Sequence, residues 1–331
     1  MGAKRQQMHP ALPRALVACV LGNVLSLVPD CAIAQQKCGA GELAVQILGS
    51  GGPFATTMRA STSYLVWHGG RAIVMVDVGG GAFLRFSESG AQLQDLSLLA
   101  ISHLHPDHVS DLPALLWVSE RARPRPLKLA GPSGAGPYPD IATFSKRLFN
   151  PVDGAFPVLA GTLGEPGSGF PLEVTVIDVE ATDASLVFND DDLEVTAIGV
   201  PHMNTPALAY RVRVGQSSIV FSGDQTGRDP QFVQFANRAD VLVMHFGLSI
   251  LANEAQAQIH ATPAVVGQVA RDAKVGRLVL SHFIQGYPED PGREGFSLFE
   301  LDESVAEVKR HYSGPVVLAD DLQCIVARQQ R

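Results

Sequence analysis

The stretch AISHLHPDHVSDLPALL, residues 100–116, sets three histidines and an aspartate into positions 103–108 and follows them with an apolar run. The whole chain of 331 residues has only ten histidines. Taken alone, the cluster reads most simply as a polar, solvated loop. Imidazole nitrogen and carboxylate oxygen are also donors that suit zinc, iron and manganese. A loop leaving a strand aims alternate side chains at a common point, so His103 and His105 would face one ion while Asp107 and His108 turn toward another.

Outward from this stretch, short aliphatic runs alternate with turn clusters. LAVQIL (43–48), SYLVW (63–67), AIVMVD (72–77) and LSLLAI (96–101) read as strands. A helix is expected over 111–122, capped by Asp111, then a strand at 127–131 and a helix at 141–149. The second half repeats the style, with strands expected at 172–179, 193–200, 208–214, 217–223, 239–245 and 277–282 and helices at 230–237, 262–273 and 298–312. LAYRVRV and SSIVFSG form a hairpin about Gly215-Gln216. Strands in both halves with helices after them imply two packed sheets covered outside by helices, in one domain spanning 35–331.

Single histidines and one aspartate recur where apolar strands stop: His202, Asp224, His245 and His282. Any one of them is most simply a core residue. Four placed alike argue for convergence on one sheet edge, with Asp224, whose carboxylate has two oxygens, as the bridge between metals.

These residues carry a resemblance. HLHPDH is similar to the H-x-H-x-D-H signature of the metallo-β-lactamase-fold hydrolases. MVDVGGG, VPHMNTPALAYRV, VFSGDQTG and LVLSHF resemble that superfamily's other motifs in the same order. The resemblance covers roughly residues 43–326 and implies a four-layer αββα sandwich, an α/β fold with a dinuclear site between the sheets. By position it implies His103, His105 and His202 on the first metal, Asp107, His108 and His282 on the second, and Asp224 between them. Asp77 would support the site by hydrogen bonds. The cofactors implied are two divalent ions, zinc first, with manganese and iron open. Two such ions lower the pKa of a bridging water and stabilise negative charge on the substrate, so hydrolysis is the expected reaction.

The second half resembles the tRNase Z and arylsulfatase-like branch, where a histidine before a helix, here His260 in QIHATP, helps protonate the leaving group. His260 also reads as a helix-capping or surface residue. Where tRNase Z proteins place a glutamate to pair with that histidine, ADVLVMHFG offers His245. Asp107, His260 and His245 are thus the candidate catalytic residues, the two histidines acting together on the leaving oxygen.

Composition bears on substrate and compartment. Lys4, Arg5 and Arg14 precede the apolar run ALVACVLGNVLSLV, and Ala32-Ile33-Ala34 supplies small residues, the layout of a signal peptide over 1–34. The run of ~14 apolar residues is short of the ~20 a membrane span needs. A secreted or periplasmic protein without a stable membrane anchor is expected. Removing 1–34 leaves 22 basic against 32 acidic residues, a formal charge of −10. From that charge no nucleic-acid partner is expected, and a small-molecule ester is favoured. A sulfate ester or phosphodiester leads; a β-lactam or lactone is the alternative, and a non-catalytic metal-binding protein the reading from another class. Cys38 and Cys324 either pair or remain two free thiols. A homodimer would suit this branch.

Overall fold

The computed structural model describes residues 38–54, 59–118, 126–190, 192–284 and 298–328. The expected signal peptide 1–34 and the last residues of the helix expected over 111–122 lie outside them. The first sheet is built from β1 (Ala44–Gly49), β2 (Ser63–His68), β3 (Arg71–Val76), β4 (Leu98–Ala100), β5 (Leu127–Pro132) and β6 (Leu172–Ile177). The second holds β7 (Ser185–Asp190), β8 (Leu193–Val200), β9 (Ala207–Val214), β10 (Ser217–Phe221), β11 (Val241–His245), β12 (Leu278–Ser281) and β13 (Val316–Leu318). A last strand, β14 (Cys324–Val326), returns to pair with β1. The spatial orders are β14-β1-β2-β3-β4-β5-β6 and β13-β12-β11-β10-β9-β8-β7.

Both sheets follow one plan. Antiparallel pairings run up to β3 in the first and up to β10 in the second, and every later pairing, β3 to β6 and β10 to β13, is parallel. Parallel neighbours need crossovers, which the helices supply: α1 (Ala82–Ser89), α2 (Pro106–Val109), α3 (Leu112–Val118), α4 (Ile141–Phe149), α5 (Pro230–Phe235), α6 (Pro263–Asp272) and α7 (Leu298–His311). The expected αββα sandwich is the fold found.

Strands β1 to β5 of the first sheet are largely buried on both faces because both are covered, whereas β6, at the sheet's end, is largely exposed. In β2, Tyr64 and Val66 enter the core between the sheets while Leu65 and Trp67 enter the core beneath the helices. Phe86, Leu112, Leu115, Ile141 and Phe149 meet them there. Burying each such side chain contributes about 1.5–3 kcal/mol.

The hairpin turns at Gly215-Gln216 as expected, with Ser217 opposite Val214 and Gly215 at φ 57°. Asp140 caps α4 and Asp229 caps α5, each accepting from a backbone N–H at 2.8 Å. Asp111 behaves differently from expectation. Its carboxylate accepts from Gly81 and Phe83 N–H at 2.8 and 3.0 Å, so it caps α1 across the fold; the helix expected over 111–122 is α3, and α2, inside the histidine-rich loop before it, was not expected. Cys38 and Cys324 form a disulfide, with Cα atoms 5.6 Å apart.

Candidate metal centre

Side chains for the site come from strand ends on one edge of the sandwich, and the backbone there is unusual. Asp77 follows β3 at φ 59°, His282 follows β12 at φ 59°, and Gly223 follows β10 at φ 58°. Left-handed backbone costs an aspartate or histidine of order 1–3 kcal/mol, so surrounding contacts must hold it. They do. Phe283 N–H donates to Ser50 O at 2.9 Å and Gly52 N–H to Phe283 O at 3.0 Å, so the turn at 49–53 anchors the His282 strand end. A Cβ on Gly79 would collide with the Asp107 carbonyl oxygen, which explains the glycine after Asp77 and Val78.

Asp77 is buried and fully engaged. Oδ1 accepts Ser102 N–H at 2.7 Å, and Oδ2 accepts Ser102 Oγ at 2.8 Å and lies 2.9 Å from His108 Nδ1. A proton on His108 Nδ1 satisfies that contact, leaving Nε2 as the donor atom for a cation. Ser102 is a site residue not singled out from sequence, although it directly precedes His103; its hydroxyl lies 3.1 Å from His103 Nδ1.

The histidines and aspartates gather as two groups around Asp224. Ligand atoms of His103, His105 and His202 lie within 4.8 Å of one another, as do those of Asp107, His108 and His282. Asp224 sits between: Oδ1 is 3.8 Å from His108 Nε2, and Oδ2 is 3.2 Å from His282 Nε2 and 3.9 Å from His202 Nε2. His108 Nε2, His202 Nε2 and Asp224 Oδ1 are buried without a hydrogen-bond partner among the described residues. Buried polar atoms are costly when unpaired. Three of them about one carboxylate, in an all-nitrogen-and-oxygen set, fit divalent cations, and zinc is the usual ion of this fold.

Electrostatics split the site. Burial pushes Asp107 and Asp224 up, but the neighbouring His108 and His282 outweigh it and hold both carboxyls well below their usual range. Burial pulls His282 and His108 down, yet the carboxylates win, placing His282 at about 9 and His108 well above its usual value. His103, His105 and His202 are lowered by burial first.

His260 joins His202 and Asp224 in a further group within 4.8 Å, and burial lowers it to about 4. His245 is placed otherwise than a paired acid requires. Its Nδ1 lies 3.0 Å from Gly223 O, and its Nε2 accepts Ala261 N–H at 3.3 Å. With both nitrogens engaged by backbone it has none to offer a leaving oxygen, so the expectation that His245 acts with His260 as a proton donor is corrected. Arg59 is occupied too: it bonds Ser50 Oγ and Ala319 O at 2.6 Å and pairs with Asp320 at 3.1 Å.

A fold of this plan defines a class, and known proteins agree with it. A family model described as the β-lactamase superfamily domain matches residues 75–283, and the chain belongs to that superfamily as a metallo-β-lactamase-fold hydrolase. Its homologues include ribonuclease Z of Mycobacterium sp. (strain KMS), 31% identical over 261 residues that cover 76% of this chain and 86% of that protein. Among solved structures, the short form of human tRNase Z superposes with a TM-score of 0.65 at 21% identity, covering 86% of this chain and 99% of that one. The metallo-β-lactamase-fold protein YhfI of Bacillus subtilis superposes at 0.63 and 20%, covering 85% and 98%. One expectation is overturned here. Relatives named ribonuclease Z remove the ground for excluding a nucleic-acid partner in favour of a small-molecule ester. A formal charge describes the whole surface and not the field at one cleft.

Proposed function

We propose that this chain is a dinuclear metal-dependent phosphodiesterase whose substrates include RNA phosphodiesters. The observation that carries the reading is Asp224, with its two oxygens facing His108 on one side and His202 and His282 on the other. Kinship with ribonucleases Z supports the phosphodiester over a sulfate ester. His103, His105 and His202 would hold one ion, Asp107, His108 and His282 the other, and Asp224 both, with zinc ahead of manganese and iron. Bound there, the cations supply an acidified water and positive charge opposite the phosphoryl oxygens.

The chain's own residues do the rest. Asp77 orients His108 through Nδ1, and Asp107 draws His282 Nε2 to 3.3 Å. His260, beside Asp224, is the residue we assign to the leaving oxygen. Burial keeps it neutral at pH 7, so it acts by donating a hydrogen bond through an N–H rather than by carrying full charge. We further propose export directed by residues 1–34, with 35–331 as the mature domain. The Cys38–Cys324 disulfide supports this, since such bonds persist in oxidising compartments.

The test is reconstitution of the metal-free protein with zinc, manganese or iron. A tRNA precursor, bis(p-nitrophenyl) phosphate, p-nitrophenyl sulfate, a lactone and a chromogenic β-lactam are then compared by kcat/KM. Metal-dependent turnover confined to the phosphodiesters is expected, with the tRNA precursor among those cleaved. Turnover of the sulfate or of a ring substrate in their place overturns the assignment.

A further inference from the structure

We propose that Tyr138 is a positioning residue that holds His105 in the orientation and tautomer a metal ligand needs. The inference rests on the reading of His105 as a ligand, and it begins from an asymmetry within the candidate set. His103, Asp107, His108, His202, Asp224 and His282 are buried and fixed by packing, whereas His105 is only half-buried. A half-exposed imidazole on a loop keeps rotational freedom unless hydrogen bonds remove it, and binding a cation then bears the entropic cost.

The bonds are present. Nδ1 of His105 lies 3.0 Å from His103 Nε2, so those two nitrogens face the same space. On the far side of the ring, Nε2 lies 3.2 Å from Tyr138 Oη and 3.3 Å from Thr205 Oγ1. A proton on Nε2, shared between the two hydroxyl oxygens, leaves Nδ1 bare toward His103. That is the tautomer in which both nitrogens can serve one cation.

Tyr138 is itself held in place. Ala135 N–H donates to Tyr138 O at 3.1 Å and Tyr138 N–H to Ala135 O at 3.0 Å, closing a two-residue turn. Gly136 takes φ 56° there, which glycine adopts without strain, and the ring of Pro137 fixes its own φ, which limits the freedom the turn loses when it forms. Its base is tied to the end of β6 by Ser133 N–H on Ile177 O at 2.7 Å, and its exit runs into Asp140, the cap of α4. Thr205 comes from the β8–β9 connection in the other sheet. His105 Nε2 is therefore the point where the two halves of the molecule meet over the site, and the hairpin 135–138 is a brace built for one ring.

The test is zinc binding by the full chain, measured by competition with a chromogenic chelator, for the unaltered protein, Tyr138→Phe and Thr205→Val. The unaltered protein is expected to bind two zinc ions. Tyr138→Phe should weaken one of them by about 10–100-fold, the range for outer-sphere partners of metal ligands, and leave the other within about twofold. Thr205→Val should weaken the same ion, and the cobalt-substituted spectrum of that ion alone should change. Unchanged affinities in Tyr138→Phe overturn the proposal. So does equal weakening of both ions, or a lowered Tm of the metal-free variant, either of which would make Tyr138 a general structural residue. Failure of the unaltered protein to bind zinc, manganese or iron would instead overturn the metal-site reading on which this one stands.

Discussion

Asp77 and Asp224 occupy matching places in the two sheets. Each follows the strand at which antiparallel pairing gives way to parallel, β3 in one half and β10 in the other, and each departs through a left-handed residue. Their carboxylates are used in opposite ways. Asp77 spends both oxygens on Ser102 and His108. Asp224 keeps Oδ1 without a hydrogen-bond partner among the described residues and turns Oδ2 to histidines that follow two other strands, β8 and β12. One backbone solution thus supplies a fully engaged carboxylate in the first half and, in the second, one that faces the candidate ligand histidines.

Changing Asp224 should break the molecule's chemistry most. Asp224→Ala is expected to lose the second zinc equivalent by direct metal analysis and to reduce turnover by more than the ~100-fold typical of outer-sphere changes. Asp77→Asn keeps the shape and one acceptor, so it should cost roughly 10–100-fold in the affinity of the ion that His108 holds. If Asp77→Asn is as severe as Asp224→Ala, the distinction between brace and ligand collapses.

Dependence on the leaving group separates His260 from His245. His260→Ala should slow a substrate with a poor leaving group by about 10²–10⁴-fold, the range for a positioned proton donor, and a good one far less. His245→Asn should lower the rate alike for both, because His245 acts through the Gly223 and Ala261 backbone. A leaving-group dependence in His245→Asn matching that in His260→Ala would restore His245 as an acid.

The smallest effect is on stability of the metal-free protein. His260, lowered by burial to about 4, binds its proton more weakly folded than unfolded, so stability is lost as pH falls below the ordinary value of 6.5. Burial acts on His282 in the same sense, but Asp224 and Asp107 outweigh it and raise it to about 9, so its contribution is present below 6.5 and is lost as pH rises toward 9. The Tm of metal-free protein should therefore peak near pH 6.5 and fall on both sides. A Tm that changes in one direction from pH 4 to 9 is the contrary result.

The contrast between halves also explains what could be read in advance. In the first half, four donors within six residues of one loop are a local signal, and HLHPDH is legible as it stands. In the second, His202, Asp224 and His282 are single residues whose only mark is that an apolar strand ends there. That was enough to group them, because a parallel sheet brings its strand ends to one edge. Ser102 was within sight but is an ordinary residue at a strand end. Tyr138 and Thr205 gave no sign, since their partner His105 lies 33 and 100 residues away. His245 was misread for a related reason: its partners are backbone groups, which carry no side-chain signature. β7, β13 and β14 were missed as well, the latter two being only three residues long and placed by pairing rather than by pattern. Net charge misled about partners, since it sums a surface whose local potential decides binding.

The bond between Cys38 and Cys324 joins positions 286 residues apart and sets the first and last strands side by side. Between those two cysteines the polypeptide is topologically a closed ring, so its order of strands has no physical beginning. Opening that ring at the exposed Gly215-Gln216 turn, with residues 38 and 328 joined by a short linker, should give a circular permutant with the same two sheets and an undisturbed site edge.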